Sequence, residues 1–178
     1  MSRKIVLYIA VSLDGFIADD KGRVDWLSGH DDTLSPDEDY QAFIKDVDTI
    51  IMGRNTYDQI VKDLAPDNWP YEGMDCYVVT SNAGPEDANV SFVTTDVFAL
   101  VDELKAKKGK KIWLLGGARL ADALMKADLI DEYQIAIIPT ILGRGLSLFK
   151  DNNPTLKLRL NSAKSMNGIA MLKYSKRH

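Results

Sequence analysis

The chain has 178 residues, enough for one domain with a sizeable core, and an ordinary globular composition of 46% hydrophobic and 27% charged residues. A net charge of −4 argues against nucleic acid or an anionic membrane as partner, so any phosphate binding has to be local. Cys76 is the only cysteine, which excludes an internal disulfide and fits a reducing cytoplasm.

Residues 4–11 form an apolar run that reads as a buried first strand; it is too short to span a bilayer, and Asp14 interrupts it early. Residues 12–34, rich in Gly, Asp and Ser, read as a loop. Ser35-Pro36-Asp37-Glu38 has the form of a capping box with proline at the first helical position, and Tyr40, Phe43, Ile44 and Val47 supply the apolar face of the helix it opens. A strand over 49–52 and a helix over 56–64 follow, then a loop over 65–73 that contains two prolines. Strands are predicted over 74–80, 90–94 and 111–115, helices over 96–107 and 117–127, and a long strand over 131–142. Near the C-terminus Leu156, Leu158 and Leu160 alternate with polar residues, and Asn167-Gly168 is a hairpin turn signal leading into a strand over 169–175. Early alternation of strands and helices followed by a hairpin predicts an α/β fold: a central, mostly parallel sheet with flanking helices and a C-terminal antiparallel hairpin, in one domain over 1–178.

Two segments carry the functional signal. Ile50-Ile51-Met52-Gly53-Arg54-Asn55-Thr56-Tyr57 and Ile112-Trp113-Leu114-Leu115-Gly116-Gly117-Ala118-Arg119-Leu120 each run from an apolar strand through glycine into a helical pattern. Such a junction exposes backbone N–H groups at the positive end of a helix, a ready anion site. Two in one small domain could hold the phosphates of one dinucleotide. Alternative readings are a surface arginine for Arg54 and a tight turn for Gly116-Gly117; neither a G-x-G-x-x-G fingerprint nor a Walker loop is present.

Asp39 is the most interesting carboxylate. It lies one helical turn before Phe43, and a carboxylate bordering an apolar face loses hydration and tends to a raised pKa, which suits proton delivery. The competing reading is a first-turn residue favoured by the helix dipole. Asp14-Gly15 reads as a turn, His30-Asp31-Asp32 as a solvated loop, and Trp26, Trp69 and Trp113 as packing residues. No metal site is expected.

Together these segments resemble the dihydrofolate reductase superfamily. Met52-Gly53-Arg54-Asn55-Thr56-Tyr57 is similar to its Met-Gly-Arg-x-Thr-aromatic motif, and Leu115-Gly116-Gly117-Ala118 to its second glycine motif. Ser12-Leu13-Asp14-Gly15-Phe16-Ile17-Ala18 and Trp26-Leu27 match its first-strand and active-site-loop pattern. Asp39 and Phe43 fall where the family has its acid and a phenylalanine one turn later. The C-terminal pattern Asp131-Glu132-Tyr133, Pro139, Gly143-Arg144-Gly145 and Leu148-Phe149 resembles the reductase domain of the bacterial riboflavin deaminase-reductase, here without the deaminase half.

The resemblance implies an NADPH-dependent oxidoreductase acting on a small heterocyclic substrate. Ala10 and Ile17 would flank the nicotinamide. Arg54, Asn55 and Thr56, following Gly53, would bind the adenosine-side phosphates, with Arg54 on the 2′-phosphate. Ser81 would lie near the adenine ribose, and Gly116 and Gly117, followed by Ala118 and Arg119, would admit the pyrophosphate. Asp39 would anchor and help protonate the substrate ring, and pairing through the C-terminal strands would give a homodimer. Two departures weaken the case for folate: Met74 stands where folate reductases carry an arginine for the folate tail, and Ile135 or Ala136 where they usually carry a threonine facing the acid. A genuine folate reductase, with Lys62 or Arg144 replacing that arginine, and a non-catalytic nucleotide-binding relative remain the alternatives.

Overall fold

The computed structural model describes residues 2–34 and 38–177. At its centre lies β1 (Ile5–Ser12), flanked in parallel by β6 (Lys111–Gly116) and β7 (Glu132–Ile138). Ile5, Val6 and Leu7 are fully buried, as befits a parallel strand covered on both faces. Beyond β6 come β3 (Val47–Gly53), β4 (Asp75–Val79) and β5 (Ser91–Val93), all parallel. Beyond β7 the hairpin β9 (Leu158–Met166) and β10 (Ile169–Lys176) adds two antiparallel strands. The eight-stranded order is therefore β5-β4-β3-β6-β1-β7-β10-β9. Asn167 and Gly168 both adopt positive φ, 52° and 78°, as the Asn-Gly signal requires of a tight hairpin turn.

Alternation along the strands divides the core. On one face Ile5, Leu7, Ile112 and Leu114 pack against Leu100, Val101 and Leu104 of α3 (Val97–Ala106) and Leu120, Ala121 and Leu124 of α4 (Ala118–Lys126). On the other, Val6, Ile50, Met52 and Trp113 pack against Phe43 of α1 (Glu38–Lys45) and Tyr57 of α2 (Arg54–Gln59). Asp96 caps α3 by accepting from the Phe98 N–H at 3.2 Å. Sheet and helices thus follow the sequence expectation.

Several boundaries differ. The helix after β3 starts at Arg54, and beyond Gln59 it widens into a π turn, Ile60–Leu64, closed by the Ala65 N–H donating to the Ile60 carbonyl at 2.8 Å. β7 ends at Ile138, because Pro139 has no N–H to donate and the Thr140 N–H turns back to the Ile138 carbonyl at 2.7 Å. The expected loop over 12–34 contains a short strand, β2 (Phe16–Ala18), paired with β8 (Leu146–Ser147) as a separate two-stranded ribbon. The expected capping residues Ser35, Pro36 and Asp37 lie outside the described residues. Among the described residues no helix is long and apolar enough to cross a membrane.

Candidate active site

β3 and β6 are neighbours in the sheet, so their C-terminal ends deliver the two glycine junctions side by side. A methyl group placed on Gly53 would lie 3.9 Å from the Gly116 carbonyl and 3.9 Å from the Gly117 nitrogen. The Gly117 N–H donates to Thr56 Oγ1 at 3.1 Å, tying the start of α4 to the first turn of α2. Gly116 has a φ of 144°, a conformation L side chains rarely adopt, so glycine is required there by the backbone. The crevice at the carboxyl ends of parallel strands is where open α/β sheets bind ligands.

Around this crevice Ala10 lies near the end of β1, opposite Ala136, and Ile17 lies on β2. Asn55 and Arg119 are exposed, Ala118 opens α4, and Ser81 is exposed just past β4. Arg54 donates from Nε to Asp58 at 3.0 Å, and its guanidinium lies over the Phe92 ring, 5.4 Å from the centroid. A row of rings leads inward from Phe92: Tyr57 at 5.1 Å, Trp69 at 6.2 Å, Tyr71 at 5.5 Å and Trp113 at 5.6 Å between successive centroids. Trp113 in turn meets Phe43 of α1 edge-on at 5.3 Å, and Tyr8 stacks on Phe43 at 4.4 Å. The three tryptophans do not form a set: Trp69 and Trp113 join this row, while Trp26 donates to the Arg23 carbonyl.

Asp39 projects from the first turn of α1, whose Phe43 is buried, but its surroundings correct the sequence expectation. Lys173 of β10 donates to Asp39 Oδ1 at 3.0 Å and Lys164 of β9 at 3.4 Å. The hydrogen bond from Lys173 holds the carboxyl below the usual carboxylate range, outweighing the opposing effect of partial burial. The raised pKa expected of Asp39 is therefore wrong in sign, and the residues facing it are basic rather than apolar. Alternation places Ala136 on the sheet face of Gln134 and α1, whereas Ile135 joins the opposite core. Among the described residues no group of three or more His, Cys, Asp or Glu side chains could hold a metal ion.

Asp14 does more than make a turn. Ser12 Oγ donates to Asp14 Oδ1 at 2.6 Å, and the Leu142 and Gly143 N–H groups donate to its two oxygens at 3.1 and 2.7 Å. The hydrogen bond from Ser12 leads the contacts that hold its carboxyl below the usual range. Leu13 N–H to Thr140 O and Leu148 N–H to Gly15 O extend the same junction. The loop bearing Ile17 is thereby fastened to residues 140–148. Arg144, offered by the sequence as a folate-tail contact, instead pairs with Asp20 at 2.9 Å in this region.

Residues 3–170 match the RibD C-terminal domain. The chain belongs to the RibD C-terminal domain family. The Bacillus subtilis (strain 168) protein YwjB, itself uncharacterised, is 43% identical over 175 residues, 98% of each chain. A Shewanella sp. PV-4 protein assigned to riboflavin biosynthesis superposes over the whole of both chains with a TM-score of 0.86 at 28% identity. Dihydrofolate reductase of Enterococcus faecalis, in a complex with NADP(H), superposes over the whole of both chains with a TM-score of 0.69 at 13% identity, which establishes a shared fold. The RibD C-terminal domain in this chain therefore has a dihydrofolate-reductase-like architecture, as its motifs implied.

Proposed function

We propose that this chain is an NADPH-dependent oxidoreductase of the 5-amino-6-(5-phosphoribosylamino)uracil reductase type, transferring hydride to a pyrimidine- or pteridine-related heterocycle in riboflavin-type metabolism. The observation that carries this reading is the contact between the Gly53 and Gly116-Gly117 junctions, held by the Thr56–Gly117 hydrogen bond. A glycine required at 116 and small residues beside it would let a pyrophosphate approach the start of α4. Gly53, Asn55, Thr56, Gly116, Gly117, Ala118 and Arg119 would hold the phosphate side of the cofactor, Ser81 the adenine ribose, and Ala10 and Ile17 the nicotinamide. Arg54 would take the 2′-phosphate, and its pairing with Asp58 and its place over Phe92 support the reading by steadying the fork.

NADPH, when bound, supplies the hydride; the chain supplies orientation and charge. Asp39 acts as an ionised acceptor that anchors and turns the substrate ring. Its pairing with Lys173 leaves protonation to that ammonium or to water. The reading carries with it a cytoplasmic enzyme and a homodimer formed through β9, the outermost strand, on which Leu160 and Met166 are about half exposed.

Titration with NADPH and NADH, for wild type and Arg54→Ala, tests the cofactor. A charged bidentate contact of about 1.5–3 kcal/mol favours NADPH roughly tenfold to a hundredfold. Equal wild-type affinities would remove the assignment. A panel of pyrimidine and dihydropteridine substrates then tests turnover, with dihydrofolate expected to be poor because Met74 offers its tail no charge. Micromolar KM with normal kcat on dihydrofolate would move the chain to the folate branch, and NADPH binding with no turnover at all would make it a non-catalytic relative.

A further inference from the structure

Lys164 and Lys173 donate to the same oxygen of Asp39, Oδ1, at 3.4 and 3.0 Å. One carboxylate thus faces two ammonium groups, and the trio carries a surplus positive charge. It is open to solvent: the side chains of Lys164, Lys173 and Asp39 are 62%, 25% and 19% exposed. The contact does not use up either kind of group, since an ammonium has three N–H bonds and a carboxylate accepts up to about four. In the sheet Lys164 lies opposite Met171, Met171 opposite Ala136, and Ala136 opposite Ala10; Lys173 stands one pair deeper, opposite Gln134 and Ser162. The trio therefore borders the row Ala10, Ala136, Met171, whose first member is the residue read as flanking the nicotinamide. A lone ionised carboxylate suits a protonated aminopyrimidine, which offers it two charge-assisted N–H donors side by side. Here the same cation would meet two ammonium groups, and like charges at this range repel. A cyclic imide, an N–H between two carbonyl groups, has the opposite pattern. Its N–H donates to Asp39 and its carbonyl oxygens accept from the lysines. A site whose polar groups are paired by one ring edge rejects the analogue that leaves them opposed.

We propose that Lys164 and Lys173 are specificity-determining residues of the Asp39 anchor, closing it to cationic aminopyrimidines and opening it to neutral rings that present a cyclic imide. The assignment rests on the reading of Asp39 as the anchor of the substrate ring. It needs neither bound cofactor nor turnover, so binding tests it separately from the reductase chemistry.

The test is titration of the full ¹⁵N-labelled chain with two rings of the same size, uracil as the cyclic imide and 2,4-diaminopyrimidine, below neutral pH where the latter is protonated. The backbone amides of Asp39, Lys164 and Lys173 report the site. Wild type is expected to bind uracil at least about tenfold more tightly than 2,4-diaminopyrimidine. Lys164→Gln, at an exposed position on the edge strand, should lose most of that preference without affecting folding. Lys173→Met should abolish it, and Lys173→Arg, which keeps the charge, should retain it. Equal or tighter binding of 2,4-diaminopyrimidine by wild type overturns the proposal. So does a preference undiminished in both Lys164→Gln and Lys173→Met, or in Lys164→Gln alone where Lys173→Met does not fold. Failure of both rings to bind wild type saturably up to about 100 mM removes Asp39 as ring anchor and this assignment with it. NADPH titrated into the same samples reads the cofactor separately, so its failure to bind would fall on the oxidoreductase reading alone.

Discussion

Asp39→Asn separates a carboxylate that organises the substrate side from one that merely suits a helix start. The variant keeps the size of the side chain and removes its charge. Wild-type Asp39 is 19% exposed and pairs with Lys173, itself 25% exposed, at 3.0 Å. A partly buried pair of this geometry contributes about 1 kcal/mol. The second pair, with Lys164, is 62% exposed on the lysine side at 3.4 Å and adds about 0.3 kcal/mol. The favourable position in the first turn of α1 adds a further ~0.5 kcal/mol. The loss at neutral pH is therefore about 2 kcal/mol, or roughly 4–8 °C in Tm for a domain of this size. Because the folded pKa is lowered, this stability is present above the ordinary carboxylate value of about 4 and fades as pH falls through the lower folded value. Urea denaturation of both proteins from pH 7 down to about pH 3 should show the two curves converging on the acid side. A difference below about 0.5 kcal/mol that does not change with pH would refute the paired-carboxylate account. Under the proposed function, the same variant should keep NADPH binding and lose about 10²–10⁴ in turnover. Unchanged turnover would return Asp39 to a structural role.

Gly116→Ala should lower stability by about 1–3 kcal/mol through backbone strain alone, since the added methyl meets Ile9 and Thr56 only at 3.8 Å; an unchanged melting temperature would show that the turn relaxes freely. Asp14→Ala should make the 12–18 and 140–148 segments more sensitive to limited proteolysis while the core melt changes little, and equal cleavage rates would refute the fastening. Asp14 is also lowered, so its contacts are intact above about pH 4 and the same sensitivity should emerge in wild type as pH falls through the folded value. The homodimer predicts a dimeric mass by light scattering that Leu160→Glu reduces to a monomer, and a monomeric wild type at micromolar concentration would remove it.

The parallel core and the C-terminal hairpin were legible because their signals are local: unbroken apolar runs, glycine after a strand, Asn-Gly between alternating residues. The neighbouring of Gly53 and Gly116, by contrast, comes from the pairing of β3 with β6, strands far apart in sequence. What the sequence hid depends on contacts between distant segments. Asp39 looked like an acid on an apolar face because its partners, Lys164 and Lys173, sit more than a hundred residues away on a hairpin whose register fixes which side chains meet α1. Asp14 read as a turn because its acceptors serve N–H groups 128 and 129 residues on. The Gly143-Arg144-Gly145 pattern was the available clue. Gln134 carried no signal at all, since a glutamine in an apolar strand reveals its unsatisfied amide only when its neighbours are in place.

The row of rings from Phe92 to Trp113 has an optical consequence. Trp69 and Trp113 are bridged by Tyr71, so their excited states share one environment that begins beside Arg54 and ends against α1. A molecule arriving at either end perturbs the emission of the same indole pair, and a quenching curve taken alone does not distinguish cofactor from substrate. Trp26, outside the row and bonded to the Arg23 carbonyl, reports instead on the loop before α1. Replacing Trp26 with phenylalanine isolates the inner pair, and replacing Trp69 leaves Trp113 as a reporter biased toward the α1 end. The protein thus carries a built-in spectroscopic ruler, with one indole nearer each end of the row.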